Sequence, residues 1–160
     1  MVIINKIHIT TSCFLLLGII LNLIPLPEIV IAFRPPILLL ILIYWSLAYP
    51  RQINLTYAFV TGLIMDILLV CPLGFNALTH VITIYLILKY YPQIRLHSNW
   101  NKMFSLLILL IPYFLMCTLV NKLLGIDYNI YNVFISIIIS IIIWPTLFNM
   151  LRFIRQKYTS

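Results

Sequence analysis

Long stretches without a single Asp, Glu, Lys or Arg decide what this chain can become. They run from Ile7 to Pro27, Pro35 to Pro50, Gln52 to Met65, Ile67 to Leu88, Met103 to Asn121 and Tyr128 to Leu151. A helix that crosses a bilayer needs roughly 20 apolar residues, and one stretch after another approaches that length. Hydrophobic residues make up 64% of the chain and charged residues 8%, against about 25% charged in an ordinary soluble domain. So little polar surface cannot cover a soluble fold, so lipid must be the solvent. The expected fold class is an all-α polytopic membrane protein with six transmembrane helices in one domain.

The prolines set the expected limits, because a proline cannot donate the next helical hydrogen bond. The first span covers about 7–24 and stops at Pro25 and Pro27. The second covers about 35–49 and stops at Pro50, unless Ile29–Phe33 lengthens it. The third covers about 55–71 and stops at Pro72. The fourth covers about 75–91 and stops at Pro92, and Pro92–Lys102 forms a polar loop. The fifth and sixth cover about 103–121 and 128–151, with Pro112 and Pro145 inside them. Lys6 followed by an apolar stretch imitates a secretion signal. No small-residue cleavage site follows it, so the stretch reads as a retained first span.

The charges orient these spans. There are 10 basic residues and 3 acidic ones, for a net charge of +7. In a soluble protein that balance suggests nucleic acid as a partner. Here the basic residues sit singly between apolar runs, so membrane topology explains them and no nucleic-acid role is expected. With the N-terminus inside, all but Arg34 and Lys122 of the basic residues fall on the inner side, as the positive-inside rule requires. Both termini are then cytoplasmic. Glu28 and Asp127 partly balance the two outer cations. Tyr44, Trp45, Tyr49, Tyr90, Tyr91, Trp100 and Trp144 gather near the inner interface, where amphipathic rings settle.

Few residues could carry chemistry. Cys13, Cys71 and Cys117 lie in apolar runs and read as small buried hydrophobes. His8, His80 and His97 are too scattered for a metal site. Asp66 stands out, because a charge at mid-membrane costs about 2.5–3.5 kcal/mol on insertion scales and must face protein. Ala58, Gly62 and Asp66 share one helix face, a small-residue seam that carries a carboxyl group. Arg34 and Asp66 differ in depth by roughly 6 Å at about 1.5 Å per residue. Either they pair directly, or Arg34 snorkels to headgroups while Asp66 bonds a hydroxyl or water. His80 reads as a hydrogen-bonded packing residue, and Ser136 and Ser140 as a close-packing face. Pro72-Leu73-Gly74-Phe75 makes a tight outer turn in which Gly74 takes a positive φ. Tyr44-Trp45 before Pro50-Arg51 reads as an interface anchor or as a contact for another membrane protein. No metal triad, Ser–His pairing or glycine-rich phosphate loop is present, so neither catalysis nor a cofactor is expected.

The ordered set Phe33-Arg34-Pro35, Leu40 to Trp45, Leu47-Ala48-Tyr49-Pro50-Arg51, Phe59-Val60-Thr61-Gly62, Asp66, Leu73-Gly74, Ala77 and Tyr85 resembles the MreD family of rod-shape-determining membrane proteins. The resemblance runs from Pro25 to about Tyr91, with Trp144-Pro145 and the basic C-terminus also fitting. It implies a non-enzymatic inner-membrane subunit of the machinery that builds lateral peptidoglycan. The implied partners are MreC directly, and MreB, RodA and a transpeptidase through the complex. It also implies an architecture similar to the substrate-binding subunits of energy-coupling-factor vitamin transporters. By position, Arg34, Pro35, Tyr44, Trp45, Pro50, Arg51, Gly62, Asp66 and Gly74 become the candidate residues for fold and partner binding. The Ala58–Gly62–Asp66 and Ser136–Ser140 faces become the candidate partner surfaces. The competing class is a small-solute transporter subunit. It gains from a buried pocket holding at least three of Arg34, Asp66, Asn76, Thr79 and His80, and a packed, apolar interior counts against it.

Overall fold

The computed structural model describes residues 2–25, 27, 34–96, 99–123, 125 and 130–159. Side chains are described for 6–25, 27, 34–92, 108–119, 122–123, 125, 131–132 and 134–157. Six helices follow one another: α1 (Val2–Leu23), α2 (Ile37–Ala48), α3 (Leu55–Leu68), α4 (Phe75–Leu96), α5 (Asn99–Leu123) and α6 (Ile130–Thr159). Glu28, Ile29–Phe33, His97, Asp127 and Tyr128 lie outside the described residues. So do the side chains of Arg95, Trp100 and Lys102.

Two helices among the described residues are long and apolar enough to cross a bilayer, at Lys6–Leu23 and Phe134–Lys157. Shorter apolar stretches occupy Ile37–Ala48, Leu55–Leu68 and Ile108–Leu119. The helices alternate in direction. His8 near the start of α1 meets Tyr57 near the start of α3, with Nδ1 2.6 Å from the phenol oxygen. Arg155 near the end of α6 lies over the rings of Tyr44 and Tyr49 at the end of α2, at 5.9 and 6.0 Å. The chain termini therefore share one end of the bundle. The starts of α2, α4 and α6 share the other, where Ser136 of α6 meets Arg34.

The central element is α2. It packs against α1, α4 and α6, and every residue from Leu38 to Ser46 is buried. Its start is made by Pro35 and Pro36, which have no N–H to leave unpaired, and Ile37 N and Leu40 N bond back to their carbonyls. Its end is the Tyr49-Pro50-Arg51 turn, where the N–H groups of Gln52 and Ile53 both donate to Tyr49 O. Asn54 then caps α3 by accepting from Thr56 N at 3.1 Å.

Close approach of α1 depends on Gly18. A Cβ there would lie 3.1 Å from side-chain carbons of both Leu38 and Ile41. Lipid is as apolar as leucine, so such contact between surfaces, not exclusion from water, holds helices together.

Several expectations change. Tyr44 and Trp45 are neither interface anchors nor partner contacts, being 1% and 0% exposed. They pack into an aromatic cluster with Phe14, Tyr49 and Phe148, because α2 lies inside the bundle and has no lipid face. Trp144, at 4% exposed, is also buried. Pro92 does not end its helix. It sits inside α4, which continues to Leu96. Pro112 and Pro145 lie inside α5 and α6, as their positions within apolar runs predict. Cys13 is exposed and Cys71 and Cys117 are half-buried, so none of the three is the fully buried hydrophobe expected.

Candidate functional site

The buried Asn22, Asp66, Asn76, His80 and Ser136 collect at the end remote from the termini. The hairpin of α3 and α4 builds half of this site. At Gly62 the two backbones nearly touch, and an added Cβ would stand 2.4 Å from Ala77 Cα and 2.6 Å from Ala77 N. Only glycine permits that approach, since backbone atoms cannot move aside as a flexible side chain can. Ala58, 0% exposed, continues the same seam.

One turn beyond Gly62, Asp66 reaches across to the start of α4. Its Oδ1 accepts from Asn76 N at 2.7 Å and Asn76 Nδ2 at 3.0 Å. Its Oδ2 accepts from Gly74 N at 3.0 Å and Ala77 N at 3.3 Å. The first N–H groups of a helix have no partner within it, and its N-terminus carries partial positive charge. A carboxylate from the preceding helix meets both needs. The turn that makes this geometry possible holds Val70 at φ 52° and Gly74 at φ 96°. Nothing lies within 4 Å of a Cβ placed on Gly74, so its backbone angle, and not crowding, selects glycine there.

Arg34 performs the converse task. Its guanidinium donates to the carbonyls of Leu21 and Ile24 at the end of α1. A helix C-terminus leaves carbonyls unpaired and partially negative, which suits a cation. Its own carbonyl accepts from Ser136 Oγ at 2.8 Å, which fastens the segment before α2 to α6. Ser140 Oγ donates to Ser136 O at 2.7 Å. Neither expected arrangement of Arg34 and Asp66 is therefore found: each ion is turned to a helix terminus instead.

Between these groups lies a partly open cavity of about 240 Å³. Every helix contributes to its lining. The polar side chains include Asn22, Arg34, Asn76, His80, Tyr113 and Ser136, and Leu38 and Phe114 are among the apolar ones. Asn22 Nδ2 donates to Gly18 O at 3.1 Å. His80 is 3% exposed, yet its Nδ1 has no hydrogen-bond partner. It is not the satisfied packing residue expected. An orphaned buried polar atom costs about 1–3 kcal/mol. Among the described residues no group of three His, Cys, Asp or Glu side chains could hold a metal ion.

The nine candidate residues thus divide by position. Arg34, Pro35, Gly62, Asp66 and Gly74 belong to the remote end and its α3–α4 seam. Tyr44, Trp45, Pro50 and Arg51 belong to the end that holds the termini, where Arg51 is exposed. The two small-residue faces expected to receive a partner are both used internally. Gly62, Asp66, Ser136 and Ser140 are all buried. Gly18 and Asn22 were not legible as site residues, since each is a single small or polar residue in an apolar run. Only the contact with α2 gives them meaning.

Comparison with known proteins places this geometry. The chain matches the family model described as "MreD: rod shape-determining protein MreD" over residues 3–154. The chain belongs to the MreD family. It is 31% identical over 150 residues to the rod shape-determining protein MreD of Haemophilus influenzae, covering 92% of this chain and 91% of that protein. No solved structure matches it. The MreD likeness therefore extends beyond the 25–91 region that carried the resemblance, through α5 and most of α6. MreD proteins are non-enzymatic cell-shape proteins of the membrane. The ions of the site join helix ends, and its glycines set distances between helices.

Proposed function

We propose that this MreD-family chain is an inner-membrane subunit of the elongation complex that binds MreC and helps direct lateral peptidoglycan synthesis. MreB, RodA and a transpeptidase would join through that complex. The observation that carries the reading is the family match over residues 3–154. In this reading all six helices span the membrane, in an arrangement like that of energy-coupling-factor substrate-binding subunits. Both termini lie in the cytoplasm and the end that holds Arg34 and Asp66 faces outward.

Because the Gly62 and Ser136 faces are buried, MreC must be held on exposed helix faces. Phe59 and Ile67 on α3, Ile108 and Leu115 on α5, and Phe134 and Ile138 on α6 are all exposed. The test is photocrosslinking to MreC in membranes from Phe59, Leu115 and Ile138, combined with depletion of the chain. Crosslinks from one face, with cell widening and loss of MreC localisation on depletion, support the reading. Unchanged width and MreC placement would overturn it.

A small-solute transporter subunit is the second reading, and the cavity holding Arg34, Asn76 and His80 is the observation in its favour. Its volume of about 240 Å³ lies below the roughly 300–1,000 Å³ typical of sites that enclose a small molecule. The assembly reading is therefore preferred.

A further inference from the structure

We propose that the cavity at the remote end of the bundle binds a phosphate group, held by the Arg34 guanidinium and completed by a hydrogen bond to His80. The sign of the site comes first. Arg34 is the charged residue in the lining, and no acidic side chain is among the lining residues. Asp66 lies just behind Asn76, but both its oxygens are engaged by donors from Gly74, Asn76 and Ala77.

Donor capacity comes next. The Arg34 guanidinium spends two nitrogens on the carbonyls of Leu21 and Ile24. A guanidinium has further N–H groups in the same plane, a fork suited to phosphate. His80 supplies a second, independent observation: of the five buried side-chain atoms without a partner among the described residues, only its Nδ1 belongs to a residue that lines this cavity. It lines the cavity at 3% exposed, with Nδ1 unpartnered. An imidazole nitrogen donates or accepts according to tautomer, so it can donate to a phosphate oxygen or accept from a protonated one.

Size and setting narrow the source. About 240 Å³ admits a phosphate with the few atoms beside it, and the rest of a larger molecule must leave through the open side. Leu38, Leu39 and Phe114 give the lining an apolar part that a free anion would not use. Arg34 stands where α1 has ended and α2 has not begun, which is headgroup depth for a helix that crosses a bilayer. The favoured source is thus the headgroup of a membrane phospholipid, and free phosphate is the alternative.

Cys117 also lines the cavity and supplies a reporter. The full chain, with Cys13 and Cys71 replaced by Ser, is purified in detergent and offered phosphatidylglycerol, diacylglycerol of the same acyl chains, or inorganic phosphate. Retention is read by native mass spectrometry, and the site by the alkylation rate of Cys117. The expected result is retention of phosphatidylglycerol over diacylglycerol with protection of Cys117. Binding should weaken about tenfold in Arg34→Gln and about threefold in His80→Phe. His80→Phe leaves the Arg34 bonds to α1 intact, so it reads the site even if Arg34→Gln fails to fold. Protection by inorganic phosphate without lipid retention upholds the phosphate site and moves its source to solution. Equal retention of both lipids, no protection of Cys117, or His80→Phe binding as the parent does would overturn the proposal. No partner protein enters the measurement, so failure here leaves the MreC reading untouched.

Discussion

Val70 adopts φ 52° although it is β-branched, and it is 91% exposed. It ends α3 in the left-handed region, where Cys71 N donates to Asp66 O at 3.0 Å, a geometry usually given to glycine. Left-handed backbone costs an L residue about 1–2 kcal/mol, partly offset by the freedom glycine loses on folding. Val70→Gly should therefore stabilise the chain by about 0.5–1 kcal/mol, seen as a higher unfolding temperature in detergent. Asp66 predicts the opposite sign. Asp66→Ala would orphan the buried N–H groups of Asn76 and Ala77 and should destabilise by about 3 kcal/mol or more. Asp66→Asn keeps one acceptor oxygen and should fall between Ala and the parent on the same thermal scale. Gly62→Ala drives a methyl group against the Ala77 backbone and should cost about 1–3 kcal/mol by forcing α3 from α4. These residues were legible to different degrees. The Ala58–Gly62–Asp66 spacing announced a packing seam with a carboxyl group, and Gly74 announced its turn. The partner of Asp66 was not legible, because backbone N–H groups carry no residue identity in a sequence.

At the scale of elements, α2 departs furthest from expectation. A short apolar run that ends in Tyr44-Trp45 and Pro50-Arg51 has the pattern of a helix stopping at a lipid interface. Its 12 residues cover only about 18 Å at ~1.5 Å per residue, and neighbouring helices enclose it. Trp45→Ala should accordingly cost about 3–5 kcal/mol, the range for emptying a large aromatic from a packed core. An interfacial tryptophan would cost far less, so the unfolding temperature separates the two placements. The hairpin of α3 and α4 was legible as Pro72-Leu73-Gly74 between two apolar runs. The continuation of α4 through Pro92 was not. A proline signals a stop only when nothing else satisfies the freed carbonyl, and tertiary context decides that.

The whole molecule brings the cavity and the helix-end contacts of Arg34 and Asp66 to one end and its termini to the other. In the proposed orientation, a cysteine at position 73 in a cysteine-free background should react with a membrane-impermeant maleimide added outside intact spheroplasts. A cysteine at position 51 should not, and the reverse pattern would invert the topology. By itself the sequence determined that the chain is helical and bound for lipid, roughly where its helices break, and the family it belongs to. Those properties are read residue by residue: transfer into lipid is nearly additive along a segment, and proline and glycine act where they stand. Only the tertiary structure decided that α2 lies at the centre, that Asp66 meets α4 and Arg34 meets α1, and that a cavity remains between them. Lipid and protein interior are equally apolar, so these helices carry no strong hydrophobic stripe to say which face turns inward. Rotation and neighbour are then set by close packing and by a few polar contacts, which exist only once the helices have met.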